Sequence, residues 1–326
     1  MFITSSNDFH SAFARIYQSM DLLPHQNWRV TSNLHANHGP GPEQWVLLNL
    51  WFQEHLAGRE QNIPRTPLST FGIENGQAHF SAIPYGLDRL VETEIYYSFD
   101  PNCVTRFWKR ASATKKGDAW EANFKVHSKL PLYVFALCRY KLAEEAVLER
   151  GNTTMTYTLN SYLHSHIPED IDFGAITRLP KTGLVDDFSK GIGSWSSRDQ
   201  SSIRTYKFQD PELDTSAERK LALIFNLKKD QPLLLGLGVD SKFLGNGRDL
   251  GSFNHGRRIE GDGPTTITLT PADFKSKDGK PLEWSRITTF SISLTDQKTK
   301  QKIKLTDSNA RQVLRRIELV SEAKGN

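Results

Sequence analysis

The sequence has little of several features that mark specialised classes of protein. It holds only two cysteines, Cys103 and Cys138, in 326 residues. They are too few for a disulfide framework and predict two buried free thiols, or one bridge between neighbouring strands. No apolar run approaches the roughly 20 residues that cross a bilayer. Residues 1–8 lack the basic and apolar regions of a signal peptide, so we expect neither a membrane protein nor an export signal in this chain.

The charge excess is also small. Lysine and arginine number 41 against 37 acidic residues, which gives a formal net charge of +4. The densest basic stretches, 106–116 and 257–258, are short and match no nucleic-acid-binding motif. We therefore expect them to be solvated surface and predict no nucleic-acid partner.

The first 60 or so residues alternate between strand and helix patterns. Residues 2–5 and 28–34 read as strands, and apolar side chains recur at helical spacing over 11–23 and 43–56, with Gly58 ending the second helix. This order predicts a parallel sheet. Two strands are too few for a stable sheet, so we expect the rest of it to be missing from this chain.

From residue 64 the pattern changes to short alternating runs such as 92–98, 120–126 and 132–137, which are typical of a β-sandwich. The pattern loosens between residues 144 and 184. Further strands are predicted at 204–208, 220–226, 232–239, 265–270, 287–294 and 314–320. The predicted fold is mainly β with a short α/β piece at 1–62, an Ig-like sandwich at 63–150, a linker at 151–183 and a jelly-roll-like sandwich at 184–326.

Two residues after the predicted parallel strands could carry chemistry. Asp8 follows the first strand and His38 follows the second. An acid and then a histidine at the carboxyl ends of neighbouring strands is the chain order of the α/β-hydrolase triad, in which the carboxylate orients the imidazole that activates a serine. Asp8 could instead cap the helix near Ser11 or close an Asx turn, and His38 could be an ordinary loop histidine.

The third member of such a triad is absent from the sequence. No Gly-x-Ser-x-Gly elbow occurs, and Ser5 and Ser6 share a loop with the acid, so they could not lie on the far side of the imidazole. His10, His25, His35 and His38 lack the spacing and the partners of a metal site, so we predict no metal and no cofactor. The pair alone is expected to be inactive.

Several stretches resemble bacterial dienelactone-hydrolase-like and acetylxylan-esterase-like proteins, namely residues 3–10, 23–30, 37–39 and 51–58. Residues 95–101, 106–109 and 130–136 resemble the Ig-like module that follows such hydrolases. Asp186, Asp187, Phe188 and Trp195 resemble the start of a carbohydrate-binding-like sandwich. The resemblance implies that Asp8 is the acid and His38 the base, that residues 1–62 are the C-terminal remnant of the hydrolase domain, and that the family is exported. Either the reading frame begins at an internal methionine, or the chain is a truncated product.

Two functions remain open at this point. The chain could be the C-terminal part of a serine esterase acting on ester-bearing substrates such as polysaccharides, inactive without its missing N-terminal segment. It could also be a non-catalytic glycan-binding or accessory protein. For glycan binding the candidates are Trp195, Trp284, Arg248 and Asn254. A tryptophan in a sandwich is more often a core residue than a sugar platform.

Overall fold

A computed structural model describes residues 1–10, 12–148, 153–171, 179–196, 201–276 and 278–321. The chain divides into two compact units, Met1–Ala175 and Ile176–Asn326. Strands predominate over helices, and apart from one parallel pair at the start the named strands pair antiparallel. The prediction of a mainly β chain is therefore confirmed. None of the helices in the described ranges is long and apolar enough to cross a membrane.

The first unit begins with the strand–helix–strand–helix order that the apolar spacing indicates. Its elements are β1 (Phe2–Ser5), α1 (Phe13–Asp21), β2 (Val30–Asn33) and α2 (Pro42–His55). β1 and β2 pair in parallel, with Phe2 opposite Val30 and Ser5 opposite Asn33. The predicted helix start at Ser11 lies outside the described residues. This arrangement alone does not establish an α/β-hydrolase origin, which stays a prediction.

Two antiparallel sheets follow in the same unit. The strands are β3 (Leu68–Glu74), β4 (Gln77–Ile83), β5 (Leu90–Ser98), β6 (Lys109–Arg110), β7 (Thr114–Lys116), β8 (Ala119–Lys125), β9 (Leu132–Val147), β10 (Thr153–Asn160) and β11 (His164–His166). One sheet has the order β3-β4-β8-β7, and the other has the order β10-β9-β5-β6 with β11 also paired to β9. Tyr97 of the second sheet contacts Phe124 of the first, with ring centroids 4.7 Å apart. Their inner faces therefore pack together.

The predicted linker at 151–183 is wrong in its first part. β10 and β11 lie within it and pair antiparallel with β9. The outer ends of β9 and β10 are exposed, so they show no apolar alternation that would mark them as strands. Residues 172–178 of the predicted linker lie outside the described residues.

The α/β segment packs on the outer face of the β10-β9-β5-β6 sheet. Phe13 of α1 meets the rings of Trp108 and Phe135, with centroids 5.8 and 5.2 Å away. Beside this apolar contact, the hydroxyls of Thr31 and Thr158 are hydrogen-bonded at 2.9 Å. The segment thus uses the sandwich sheet, rather than further parallel strands, to bury its inner side.

The second unit is built from two more antiparallel sheets. Its elements are β12 (Leu184–Asp186), β13 (Ile203–Thr205), β14 (Lys220–Leu227), β15 (Leu233–Ser241), β16 (Gly251–Ile259), β17 (Gly263–Leu269), β18 (Lys275–Ser276), β19 (Thr289–Asp296), α3 (Ala310–Val313) and β20 (Leu314–Val320). The strand orders are β12-β20-β14-β17 and β13-β19-β15-β16-β18. Inward side chains of both sheets share one core, which also holds Trp195 and Trp284.

Both cysteines are free thiols, which is one of the two outcomes that the sequence left open. Cys138 lies in β9 and is fully buried, whereas Cys103 is half-buried in the loop between β5 and β6. Burial raises the pKa of the Cys138 thiol to about 12. Cys138 therefore stays protonated and unreactive at neutral pH.

Candidate acid–base site

Asp8 and His38 both follow the carboxyl ends of strands in the parallel pair. β1 ends at Ser5 and β2 at Asn33, and these two residues are register partners. Because parallel strands end at the same edge of a sheet, the loops that follow them emerge side by side. The strand pairing alone thus brings the acid loop and the histidine loop together.

Hydrogen bonds tie the two loops to each other. The backbone N–H of Ser6 donates to the carbonyl of Asn33 at 3.1 Å, and that of Asn7 donates to Ala36 at 3.0 Å. The hydroxyl of Ser6 accepts from the backbone N–H of His35 at 2.9 Å. His35 has a positive φ of 54°, which turns the second loop back towards the first.

The side chains of Asp8 and His38 are in direct contact. Asp8 Oδ2 lies 3.0 Å from His38 Nδ1, and Asp8 Oδ1 accepts from the backbone N–H of His10 at 2.8 Å. The Asx turn and the acid–histidine pair therefore occur together, one on each carboxylate oxygen. α1 begins at Phe13 with Ala12 as its N-cap residue, so Asp8 does not occupy the capping position of the described helix.

The two partners differ in exposure. The Asp8 side chain is 8% exposed, whereas that of His38 is 58% exposed. A carboxylate bound to Nδ1 favours the tautomer with the proton on that nitrogen, which leaves Nε2 as a base. No side chain of the described residues hydrogen-bonds Nε2. The pair therefore has the acid–Nδ1 geometry of a proton relay, on an imidazole that is largely exposed.

Aromatic rings surround the exposed imidazole. The His10 ring lies edge-on to it with centroids 5.0 Å apart, and Phe9 lies 6.0 Å away and is 44% exposed. These rings restrict the positions that the imidazole can adopt. Phe9 also adds an exposed apolar surface beside the imidazole.

Ser5 and Ser6, the two serines between β1 and Asp8, are engaged elsewhere. Ser5 Oγ donates to the carbonyl of Gly39 at 2.9 Å, and Ser6 Oγ donates to Asn7 Oδ1 at 2.9 Å. Neither hydroxyl is positioned to be activated by Nε2, as the sequence predicts. The part of the chain that the structure describes also contains no group of three histidine, cysteine or acidic side chains that could hold a metal.

The β5–β6 loop of the sandwich, residues 99–108, was not recognised from the sequence as part of this region. Asn7 Nδ2 donates to the carbonyls of Arg106 at 2.6 Å and Val104 at 3.2 Å. Phe107 stacks on His35 at 5.0 Å. Burial lowers the pKa of the Arg106 guanidinium, which lies over the Tyr133 ring at 3.6 Å. No local sequence signal indicates these contacts, because the partners are distant in the sequence; Asn7 is 97 residues from Val104 and 99 from Arg106.

The four glycan-binding candidates of the second unit are not brought together. Trp195 and Trp284 are 6% and 1% exposed, and their indole N–H groups donate to Asp186 and to the carbonyl of Arg219. The prediction that these two rings are sugar platforms is wrong, because a buried ring has no free face for a sugar. Arg248 lies in the β15–β16 loop and Asn254 in β16, and both are exposed.

An exposed aromatic that the sequence analysis missed lies in the β15–β16 loop. Phe243 is 47% exposed and has a φ of 65°. A bulky residue in this left-handed region is strained by about 1–2 kcal/mol. Asp249 holds it there by accepting the backbone N–H groups of Phe243 at 3.1 Å and Leu244 at 2.9 Å. The signal available in the sequence was an aromatic beside a run of glycine and asparagine.

Comparisons with known proteins do not assign this chain to a family. No family model matches it, and no curated protein matches it. Among solved structures, the N-terminal CBM22-1-CBM22-2 tandem domain of Xyn10C from Paenibacillus barcinonensis is 9% identical, with 78% of this chain and 82% of that chain covered and a TM-score of 0.20. The secreted serine protease VesC from Vibrio cholerae is 10% identical, with 85% of this chain and 54% of that chain covered and a TM-score of 0.16. Scores this low carry no argument about fold or function.

Proposed function

We propose that Asp8 and His38 are the acid and base of a serine-hydrolase proton relay and that the chain is the C-terminal part of such an enzyme. The observation that carries this proposal is the 3.0 Å contact between a buried carboxylate and Nδ1 of a largely exposed imidazole. In this proposal the α/β segment is a hydrolase remnant, followed by an Ig-like and a jelly-roll-like sandwich. The substrate class that the sequence resemblance suggests is an ester, such as an acylated polysaccharide.

The pair has a defined role in such a reaction. Nε2 would take the proton of a serine hydroxyl while the serine oxygen forms a bond to the ester carbonyl carbon. The imidazolium would then give that proton to the alkoxide as its bond to the carbonyl carbon breaks. Asp8 would hold the Nδ1–H and stabilise the charged ring. The serine would come from a polypeptide segment outside the described residues, so this chain alone is expected to be inactive.

An esterase assay tests whether this chain alone is inactive. The isolated chain should hydrolyse p-nitrophenyl acetate no faster than its His38→Ala variant. Turnover by the isolated chain that disappears in His38→Ala but survives in His25→Ala would show that the nucleophile is already present. His25 is a suitable control because it is an exposed histidine in the loop between α1 and β2.

The coding sequence upstream of Met1 tests whether the chain is the C-terminal part of a longer hydrolase. An in-frame Gly-x-Ser-x-Gly preceded by strand–helix units is expected, and the longer product should lose activity with His38→Ala and with substitution of that serine. An immediate in-frame stop codon, with no separate polypeptide that restores activity, would contradict the proposal.

Glycan binding by the second unit is the alternative function. The observation that favours it is Phe243, an exposed ring held in a strained conformation near a polar end of the sheet. There Asp240 accepts hydrogen bonds from Ser252 at 2.6 Å and Thr289 at 3.3 Å. Sugar rings stack on exposed aromatic faces, and carboxylate, amide and hydroxyl groups can bind sugar hydroxyls.

Titration with xylo-oligosaccharides, followed by NMR of the second unit, tests this alternative. Shifts near Phe243 and Asn254 that disappear in Phe243→Ala are expected. Tryptophan fluorescence is a poor reporter, because Trp195 and Trp284 are buried. An absence of shifts across a broad panel of glycans would exclude sugar binding.

A further inference from the structure

Asn7, the residue before the acid, is completely buried and uses its whole side chain in hydrogen bonds. Its amide nitrogen donates to the carbonyls of Arg106 at 2.6 Å and Val104 at 3.2 Å. Its amide oxygen accepts from Ser6 Oγ at 2.9 Å. With two donors and an acceptor engaged, the side chain is fixed in one orientation.

The loop that receives these bonds is itself fixed to the sandwich. Arg106 is 1% exposed, and its Nε donates to the carbonyl of Asp100 at 2.7 Å while Nη2 donates to Pro101 at 3.2 Å. Its guanidinium lies 3.6 Å from the centre of the Tyr133 ring in β9. Arg106 therefore links the loop to the central sheet strand through polar and cation–π contacts.

The acid loop is thus held from two sides. On one side the backbone N–H of Asn7 donates to Ala36 in the histidine loop. On the other side the Asn7 amide donates hydrogen bonds to two carbonyls of the sandwich loop. Without that amide, the Asn7–Asp8 peptide would lose both hydrogen bonds to the sandwich loop and keep those within the α/β segment, such as Asp8 N–H to Ser5 at 3.2 Å, so the carboxylate could turn away from Nδ1.

We propose that Asn7 is a positioning residue for the Asp8–His38 pair and that the β5–β6 loop, residues 99–108, is a component of the site. In this proposal the sandwich helps to orient the Asp8 carboxylate through its β5–β6 loop. This inference rests on the proposed function of the pair for its biological meaning, but the geometry it predicts can be measured in this chain directly.

The readout is the position of the His38 ring proton. Long-range 1H–15N spectra of the full chain are recorded at pH about 8.5, where ordinary imidazoles with pKa about 6.5 are neutral. In the native chain we expect the proton on Nδ1. In Asn7→Ala and Asn7→Asp, neither of which can donate to both carbonyls, we expect a mixture that includes the Nε2–H tautomer. Asn49→Ala, on the exposed face of α2, is the control and should leave the native tautomer unchanged.

Arg106→Lys reaches the same loop from the sandwich side and covers the case in which the Asn7 variants fail to fold. Lysine cannot reproduce the planar contacts to two carbonyls and a ring, so the same tautomer shift is expected. If Asn7→Ala or Arg106→Lys folds and keeps Nδ1–H fully populated, the inference is wrong, while the proposed function survives. If the native chain itself lacks the Nδ1–H tautomer, the pair is not formed and the proposed function fails first.

Discussion

The joint between the α/β segment and the sandwich can be tested by a double-mutant cycle on Thr31 and Thr158. Both side chains are buried, and their hydroxyls are 2.9 Å apart. Gln44 Nε2 also lies 3.4 Å from the Thr31 hydroxyl and 3.0 Å from the Thr158 hydroxyl, and it donates to the carbonyl of Ser32 at 3.1 Å. Replacing either threonine by valine keeps the shape and removes one hydroxyl.

The expected magnitude follows from what each change leaves behind. A single Thr→Val substitution leaves a buried polar partner without its hydrogen bond, which costs about 1–3 kcal/mol. Removing both hydroxyls leaves neither threonine position with an unpaired hydroxyl; one N–H of the Gln44 amide keeps its bond to Ser32, and the other loses its hydroxyl acceptor. The double variant should therefore lose less than the sum of the singles, with a coupling energy of about 1 kcal/mol.

Urea unfolding gives these free energies. The transition is followed by NMR signals of the first unit, since the second unit has its own core and unfolds as a separate contribution. Thr70→Val, at an exposed position in β3, is the control and should change stability by less than about 0.5 kcal/mol. Additive losses from the two threonines would refute the direct contact and with it this packing of the α/β segment on β10.

Three further outcomes are expected. Trp284→Ala should lower the free energy of unfolding of the second unit by about 3–5 kcal/mol in calorimetry, whereas Phe243→Gly, which relieves a strained φ in an exposed loop, should be neutral or stabilising. In the native chain a thiol reagent should label Cys103 and leave Cys138 unlabelled until urea is added, since burial raises the pKa of Cys138 to about 12; equal rates would contradict its burial. Burial, and then the charge of Glu92, raise the pKa of Glu94 above its ordinary value of 4.5. Because the folded state then binds the proton more tightly than the unfolded state, the free energy of unfolding should fall as pH rises from 4.5 through the raised pKa. Glu94→Gln should remove this dependence of stability on pH.

Local patterns in the sequence predict those elements whose burial is periodic. α1 buries Phe13, Ile16, Tyr17 and Met20, and that spacing was sufficient to predict the helix. β14 and β15 were found because their inward positions are apolar. By contrast, β16 contains Gly251 and Gly256 and exposes most of its residues, so it carries no alternation that a reader of the sequence could recognise. Tertiary pairing with β15 on one side and β18 on the other makes it a strand.

The acid–histidine pair could be predicted because strand direction determines which loops are neighbours. Asp8 and His38 are 30 residues apart, but parallel pairing of β1 and β2 places their loops at one edge. The side-chain role of Trp195 and Trp284 was open in the sequence, since either a core or a surface position suits a tryptophan. Their burial in the shared core decides it.

The role of Asn7 was beyond the reach of any local pattern, and the reason bears on how the chain works. Its partners lie about 100 residues away, in a loop whose position depends on Arg106 and the β9 ring of Tyr133. An asparagine between a strand and an acid is read as a turn residue, and its backbone does form one side of a turn. Its side chain nevertheless connects the candidate catalytic loop to the sandwich. A hydrolase whose acid is oriented in this way could not exchange its sandwich for another module without moving Asp8 relative to His38, so the two parts would have to change together.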